Sequence, residues 1–239
     1  LAFFLPPRAE AGEIIGGHKA KPHSHPYMAY LKIGPKRYRK VCDGFLIKED
    51  FVLTAAHCLG SPTEVTLGAH NIKKKEKTQQ VIPVRRHIPH PDFNNETITN
   101  DIMLLQLEKK AKLTKAVGLL SLPKGKSQVK PGTRCQVAGW GQLAPRGRFP
   151  RTLQEVEMVV QKDEKCDNFY PKYDRATEMC VGDPKIEKAS FMGDSGGPLV
   201  CNNVAEGIVS YGNENGTPPG VYTKVSHFLH WIKETMKQS

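Results

Sequence analysis

Gly193-Asp194-Ser195-Gly196-Gly197-Pro198 is the most telling stretch of this 239-residue chain. It sets a serine among glycines and beside an acid. Glycine reaches backbone conformations closed to other residues and lets main chain come close to a reacting carbonyl. A serine hydroxyl alone is a weak nucleophile, so the stretch carries chemistry only with a base and an acid that orients the base. Two other stretches offer them. Thr54-Ala55-Ala56-His57-Cys58 supplies a candidate base, and Asn100-Asp101-Ile102-Met103-Leu104-Leu105 a candidate acid.

The length suits one large all-β domain or two small ones. No apolar run of roughly 18 residues occurs, so no membrane-spanning helix is expected. None of the six cysteines forms a C-x-x-C pair. That argues against a zinc ribbon or a redox motif and for disulfides made in an oxidising compartment. Spacing alone leaves all fifteen pairings open. Leu1-Ala2-Phe3-Phe4-Leu5 reads as the tail of a signal-peptide apolar region, and Ala9-Glu10-Ala11 as its cleavage pattern. Residues 1–11 are therefore expected to be a partial signal peptide, and 12–13 a dipeptide pro-segment ahead of Ile14. Asn95-Glu96-Thr97 and Asn215-Gly216-Thr217 are glycosylation sequons.

The formal charge is +11. Basic runs recur at Lys36-Arg37-Tyr38-Arg39-Lys40, Lys73-Lys74-Lys75-Glu76-Lys77 and Lys109-Lys110-Ala111-Lys112. They read as solvated loops or, more sharply, as a surface that attracts polyanions such as sulfated glycans. No nucleic-acid-binding motif accompanies them, so no nucleic-acid partner is expected.

Short segments rich in β-branched and aromatic residues predict strands over 27–33, 64–69, 79–84, 102–107, 153–160, 207–211 and 221–225, punctuated by Gly, Pro, Asn and Lys clusters. This spacing suits a β-barrel or sandwich. Val225, Phe228, Leu229, Ile232 and Met236 recur instead at helical spacing after Ser226, a candidate N-cap, and predict a C-terminal amphipathic helix.

Ile14-Ile15-Gly16-Gly17, the His57 and Asp101 blocks, Val137-Ala138-Gly139-Trp140-Gly141, the Ser195 block and Ser210-Tyr211-Gly212 stand in this order along the chain. Together they resemble a chymotrypsin-fold serine protease from residue 14 to the C-terminus. The resemblance implies two six-stranded antiparallel β-barrels with the active site between them. It also implies a Ser195, His57 and Asp101 triad, with Ser210 buttressing the acid. Gly193 and Ser195 N–H groups would form an oxyanion hole, and the backbone of 210–212, including Tyr211, would pair with extended substrate. The freed amine of Ile14 would pair with Asp194, so the chain with residues 12–13 attached would be a zymogen. Gly12-Glu13 resembles a dipeptide removed by a dipeptidyl peptidase.

The resemblance also implies the pairings Cys42–Cys58, Cys135–Cys201 and Cys166–Cys180. The disulfide that most relatives place beside the specificity pocket is absent, and Phe191 occupies one of its positions. This absence, the opening IIGGHKAKPHSHPYMAY and the GE pro-segment point to the granzyme, mast-cell chymase and cathepsin G branch. TLGAHNIKKKEKTQQ and the TKVSHFLHWIKETMK ending look most like granzymes of the B and H type.

Within that resemblance Ala189 would floor the primary pocket, Gly212 and Gly220 would line its walls, and Met192 would stand at its mouth. None is charged, so Phe, Tyr, Leu or Met is the expected residue before the scissile bond. Lys36, Arg37, Arg39 and Lys40 would favour acidic residues beyond that bond. Asp43 departs from the family's usual glycine. A monomeric, secreted, granule-stored endopeptidase with protein or peptide substrates is the leading expectation, without cofactor or metal. A catalytically weak, cationic glycan-binding granule protein on the same fold is the alternative.

Overall fold

The computed structural model describes residues 15–125 and 128–238. The signal-peptide and dipeptide expectations, and Ile14 itself, lie outside the described residues. The chain forms β1 (His18–Lys19), β2 (Met28–Ile33), β3 (Lys40–Lys48), β4 (Phe51–Thr54), β5 (Thr63–Leu67), β6 (Gln80–Pro89) and β7 (Met103–Leu107). There follow β8 (Arg134–Gly139), β9 (Gln154–Val159), α1 (Asp163–Phe169), β10 (Glu178–Val181), β11 (Pro198–Cys201), β12 (Val204–Tyr211), β13 (Gly220–Lys224) and α2 (Leu229–Lys237).

Strands β2 to β7 close into an antiparallel barrel in the order β2-β3-β4-β7-β6-β5. Strands β4 and β7 are buried along their whole length, so they read as mostly apolar runs, Phe-Val-Leu-Thr and Met-Leu-Leu-Gln-Leu, rather than alternating ones. Leu31, Phe45, Leu53, Leu67, Ile82 and Leu105 fill this barrel. The other half is a seven-stranded sheet, β1-β9-β8-β11-β12-β13-β10. An isolated bridge between Val160 and Val181 brings its β9 and β10 sides together, and two-residue β1 adds to β9 outside that ring. Val137, Val156, Met158, Leu199 and Tyr222 pack inside. Trp140 packs with Met28, Tyr30 and Leu153 in a separate cluster joining residues from both halves.

The C-terminal helix is present, but it begins later than its sequence pattern suggests. Val225–Phe228 wind as a 3-10 turn, and α2 starts at Leu229 with no side-chain cap. Ser226 is buried in that turn rather than capping the helix. Val225, Phe228 and Ile232 join the core of the first barrel, so the last segment of the chain braces the half that comes first. Helix α1 was not anticipated. Its buried Cys166 is bonded to Cys180 on β10, and Asp163 and Glu164 suit the positive end of its dipole.

The pairings implied by the resemblance are those observed: Cys42–Cys58, Cys135–Cys201 and Cys166–Cys180. No helix among the described residues is long and apolar enough to cross a membrane.

Candidate active site

Neighbouring strands bring His57 and Asp101 together. β4 and β7 run antiparallel with Thr54 opposite Met103. His57 follows β4 by three residues and Asp101 precedes β7 by two, so both emerge at the same end of the pair. His57 sits in a short 3-10 turn, Ala56–Cys58, tied by the Cys58 bond to Cys42 on β3. Asn100 takes a φ of 54° just before Asp101, a left-handed turn that asparagine tolerates better than most residues.

The Asp101 side chain is almost wholly buried. Oδ2 accepts a hydrogen bond from His57 Nδ1 at 2.7 Å, and Oδ1 accepts the His57 backbone N–H at 2.9 Å. Ser210 Oγ donates to Oδ2 at 2.5 Å, and Thr223 Oγ1 to the Asp101 carbonyl at 2.8 Å. The ladder between β12 and β13 loses register between Val209 and Tyr211, at Ser210. Such a bulge re-aims a side chain, here toward the acid. With Nδ1–H committed to the carboxylate, His57 Nε2 is left to accept a proton. Lys40 Nζ donates to the His57 carbonyl at 2.5 Å, and partial burial lowers its pKa from the usual lysine range. Cys42, His57 and Cys58 crowd together, but both sulfurs are spent in the disulfide, so the group offers no thiolate to a metal.

Ser195 comes from the other half, on the turn that leads into β11. Gly193 and Gly196 flank it with φ values of 102° and 83°. A Cβ on Gly196 would lie 2.1 Å from Thr54 Oγ1 and 2.4 Å from the Asp43 carbonyl oxygen, so only glycine lets this turn dock on the first barrel. Among the described residues no hydrogen bond joins Ser195 Oγ to His57; such contacts are often loose without substrate and tighten on binding. The N–H groups of Asp194, Gly196 and Gly197 all find protein acceptors. Those of Gly193 and Ser195 find none among the described residues, which leaves two neighbouring donors for an oxyanion.

Asp194 is fully buried behind this turn. Its oxygens accept N–H groups of Phe191 and Gly141 at 2.9 and 2.8 Å, yet burial pushes its pKa up to about 7. Ile15 is the first described residue; its carbonyl accepts the Ala189 N–H at 3.1 Å.

A cavity of about 510 Å³ opens beside Ser195. Ala189, Ser190, Gly212, Gly220 and Tyr222 line it, with exposed Met192 also on its wall. Ser190 Oγ and the Tyr222 hydroxyl hydrogen-bond to each other at 2.8 Å beside the uncharged Ala189, Gly212 and Gly220. Sequence reading passed over Ser190, Tyr222 and exposed Glu214, the one carboxylate on the lining, because nothing local marks them. Ser210 and Tyr211 also border the cavity. The Tyr211 hydroxyl donates to Glu178 Oε2 at 3.0 Å, and burial pushes Glu178 up to about 7. Both sequon asparagines, Asn95 and Asn215, are exposed, and residues on either side of Asn215 border the cavity.

Comparison with known proteins agrees with this geometry. The protein-family profile described as Trypsin matches residues 14–232. Granzyme B of Homo sapiens is 66% identical over all of this chain and 97% of its own length. Granzyme H of Homo sapiens is 62% identical over the same shares, and granzyme C of Mus musculus 58%. A solved structure titled "Structure of GrC" superposes with a TM-score of 0.90 at 56% identity, covering 94% of this chain and 100% of that one. The chain therefore belongs to the trypsin family and is a granzyme-like serine protease.

Proposed function

We propose that this protease cleaves peptide bonds through Ser195, His57 and Asp101. Ser195 Oγ attacks the scissile carbonyl while His57 Nε2 takes its proton, and the Gly193 and Ser195 N–H groups receive the developing oxyanion. Collapse breaks the C–N bond, and His57 hands the proton to the departing amine. Water, deprotonated by His57, then releases the acyl group and restores Ser195. Asp101 holds the imidazole tautomer throughout. No step needs a cofactor. The observation that carries this reading is the carboxylate-held imidazole beside a serine turn that keeps two N–H groups free.

The slot favours Phe, Tyr, Leu or Met before the scissile bond. Ala189 and Gly220 offer no charge to an acidic or basic side chain, which would lie buried and unpaired at a cost of several kcal/mol. Exposed Lys36, Arg37 and Arg39, between β2 and β3, and Lys40 at the start of β3 favour acidic residues on the leaving side. Release of Ile14 by a dipeptidyl peptidase supplies the amine that neutralises Asp194. The exposed basic runs suit a sulfated glycosaminoglycan or proteoglycan, and storage in secretory granules with a role in target-cell death completes the reading. A fluorogenic peptide panel on protein freed at Ile14 tests it. Phe and Leu substrates should outpace Asp and Arg substrates by at least tenfold, since about 1.4 kcal/mol already gives that ratio. Faster cleavage after Asp or Arg would refute the specificity.

A further inference from the structure

Asp43, on β3, is a buried acid that this mechanism leaves unused. Its side chain is fully enclosed. Oδ2 accepts the Trp140 N–H at 3.1 Å, while Oδ1 has no hydrogen-bond partner among the described residues. Asp194 is equally buried but better served, with a backbone donor on each oxygen. The two carboxyls face the same gap beside Gly139. A Cβ there would lie 2.2 Å from Asp194 Oδ1 and 2.6 Å from Asp43 Oδ2.

The backbone of Asp43 reaches the nucleophile directly. Its N–H donates to the Ser195 carbonyl at 2.8 Å, and its own carbonyl accepts Thr54 Oγ1 at 2.8 Å. Tyr30 stands opposite it on β2, its hydroxyl pushed up to about 12 by burial and by Asp43 itself. On its own strand, Lys40 turns its ammonium to the His57 carbonyl. Arg39 acts on Tyr30, against the effect of Asp43. Among the described residues the groups facing the Asp43 carboxyl are thus Asp194, Tyr30 and the Trp140 N–H, and none is a cation.

Two ionised carboxylates that share a buried gap repel each other, and each loses solvation, so one of them is driven to keep its proton. The acid with fewer donors keeps its proton more readily. Burial, and then the nearby Asp194, push Asp43 well above the usual carboxylate range.

We propose that Asp43 is a positioning residue of the Ser195 turn, held as a neutral carboxylic acid beside Asp194, and that loss of its proton loosens the turn. The proposal rests on the activation reading in one respect: the Ile14 amine would neutralise Asp194 and leave Asp43 as the remaining proton carrier. The folded pKa of Asp43 lies above its unfolded value. Its stabilising effect is therefore complete below the unfolded value, near pH ~3.9, and is lost as pH rises toward the folded one.

The test uses protein freed at Ile14. Folding constants from urea unfolding are measured at several pH values in a Ser195→Ala background, which prevents self-digestion, with Asp43, Asp43→Asn or Asp43→Gly. Asparagine copies the shape of the neutral acid but cannot ionise. The folding constant of the Asp43→Asn protein relative to the Asp43 protein should rise with pH by up to about tenfold per unit, the linkage of one proton. In the Ser195 background, kcat/KM of the Asp43 enzyme should fall with rising pH where that of Asp43→Asn holds. A ratio independent of pH would overturn the proposal, as would an Asp43→Gly protein that keeps the Asp43 slope should the Asn variant not fold. Equal activity before and after Ile14 is freed would refute the activation reading alone, because the folding slope is read independently of activity.

Discussion

His57 and Asp101 hang from adjacent strands of a closed barrel, with a disulfide beside one and four hydrogen bonds on the other. Ser195 rides instead on a turn between strands of the other half, where the ring is joined through one isolated bridge. That turn is held by glycine clearances, by backbone donors to a buried acid and by the Asp43 contact. The acid–base half is fixed by strand register. The nucleophile half is fixed by close docking, so small changes in volume or charge should disturb it more.

The largest expected effect breaks the rigid half chemically while leaving its shape. Asp101→Asn keeps the volume but favours the wrong imidazole tautomer, and should lower kcat by about 10⁴-fold with little change in folding. A steady-state assay beside a thermal melt checks this; a loss under tenfold would show that Asp101 does not orient His57. The docked half should break sterically. Gly196→Ala puts a methyl against Thr54 Oγ1 and the Asp43 carbonyl at a positive φ, and should cost about 2–4 kcal/mol of stability. A denaturant melt within about 0.5 kcal/mol of wild type would show that the turn is not clamped there.

The same contrast explains what was legible in the sequence. β2, β5, β6, β7, β9, β12 and β13 follow from their own β-branched and aromatic content. β3 was hidden by its Lys40 end and its Cys42-Asp43-Gly44 interruption, and β4 and β11 by having four residues each. The 3-10 turn at Ser226 depends on burial against the first barrel, which no local pattern carries. At the site, the motif blocks singled out His57, Asp101 and Ser195, while the left-handed Asn100 and the Glu178–Tyr211 contact exist only once distant segments dock. Asp43 could be recognised as a departure from the family's glycine. That it faces Asp194 emerges only from the fold, where the turn carrying Asp194 and strand β3 meet beside Gly139 of β8.

The most direct measurement is active-site labelling of Ser195 with a fluorophosphonate, read by intact mass before and after residues ahead of Ile14 are removed. The expected result is one adduct per freed chain, mapped to Ser195, and labelling at least tenfold slower in the unprocessed chain. An adduct elsewhere, or none in the freed protein, would contradict the assignment of the nucleophile; equal labelling rates would contradict the switch built on Asp194.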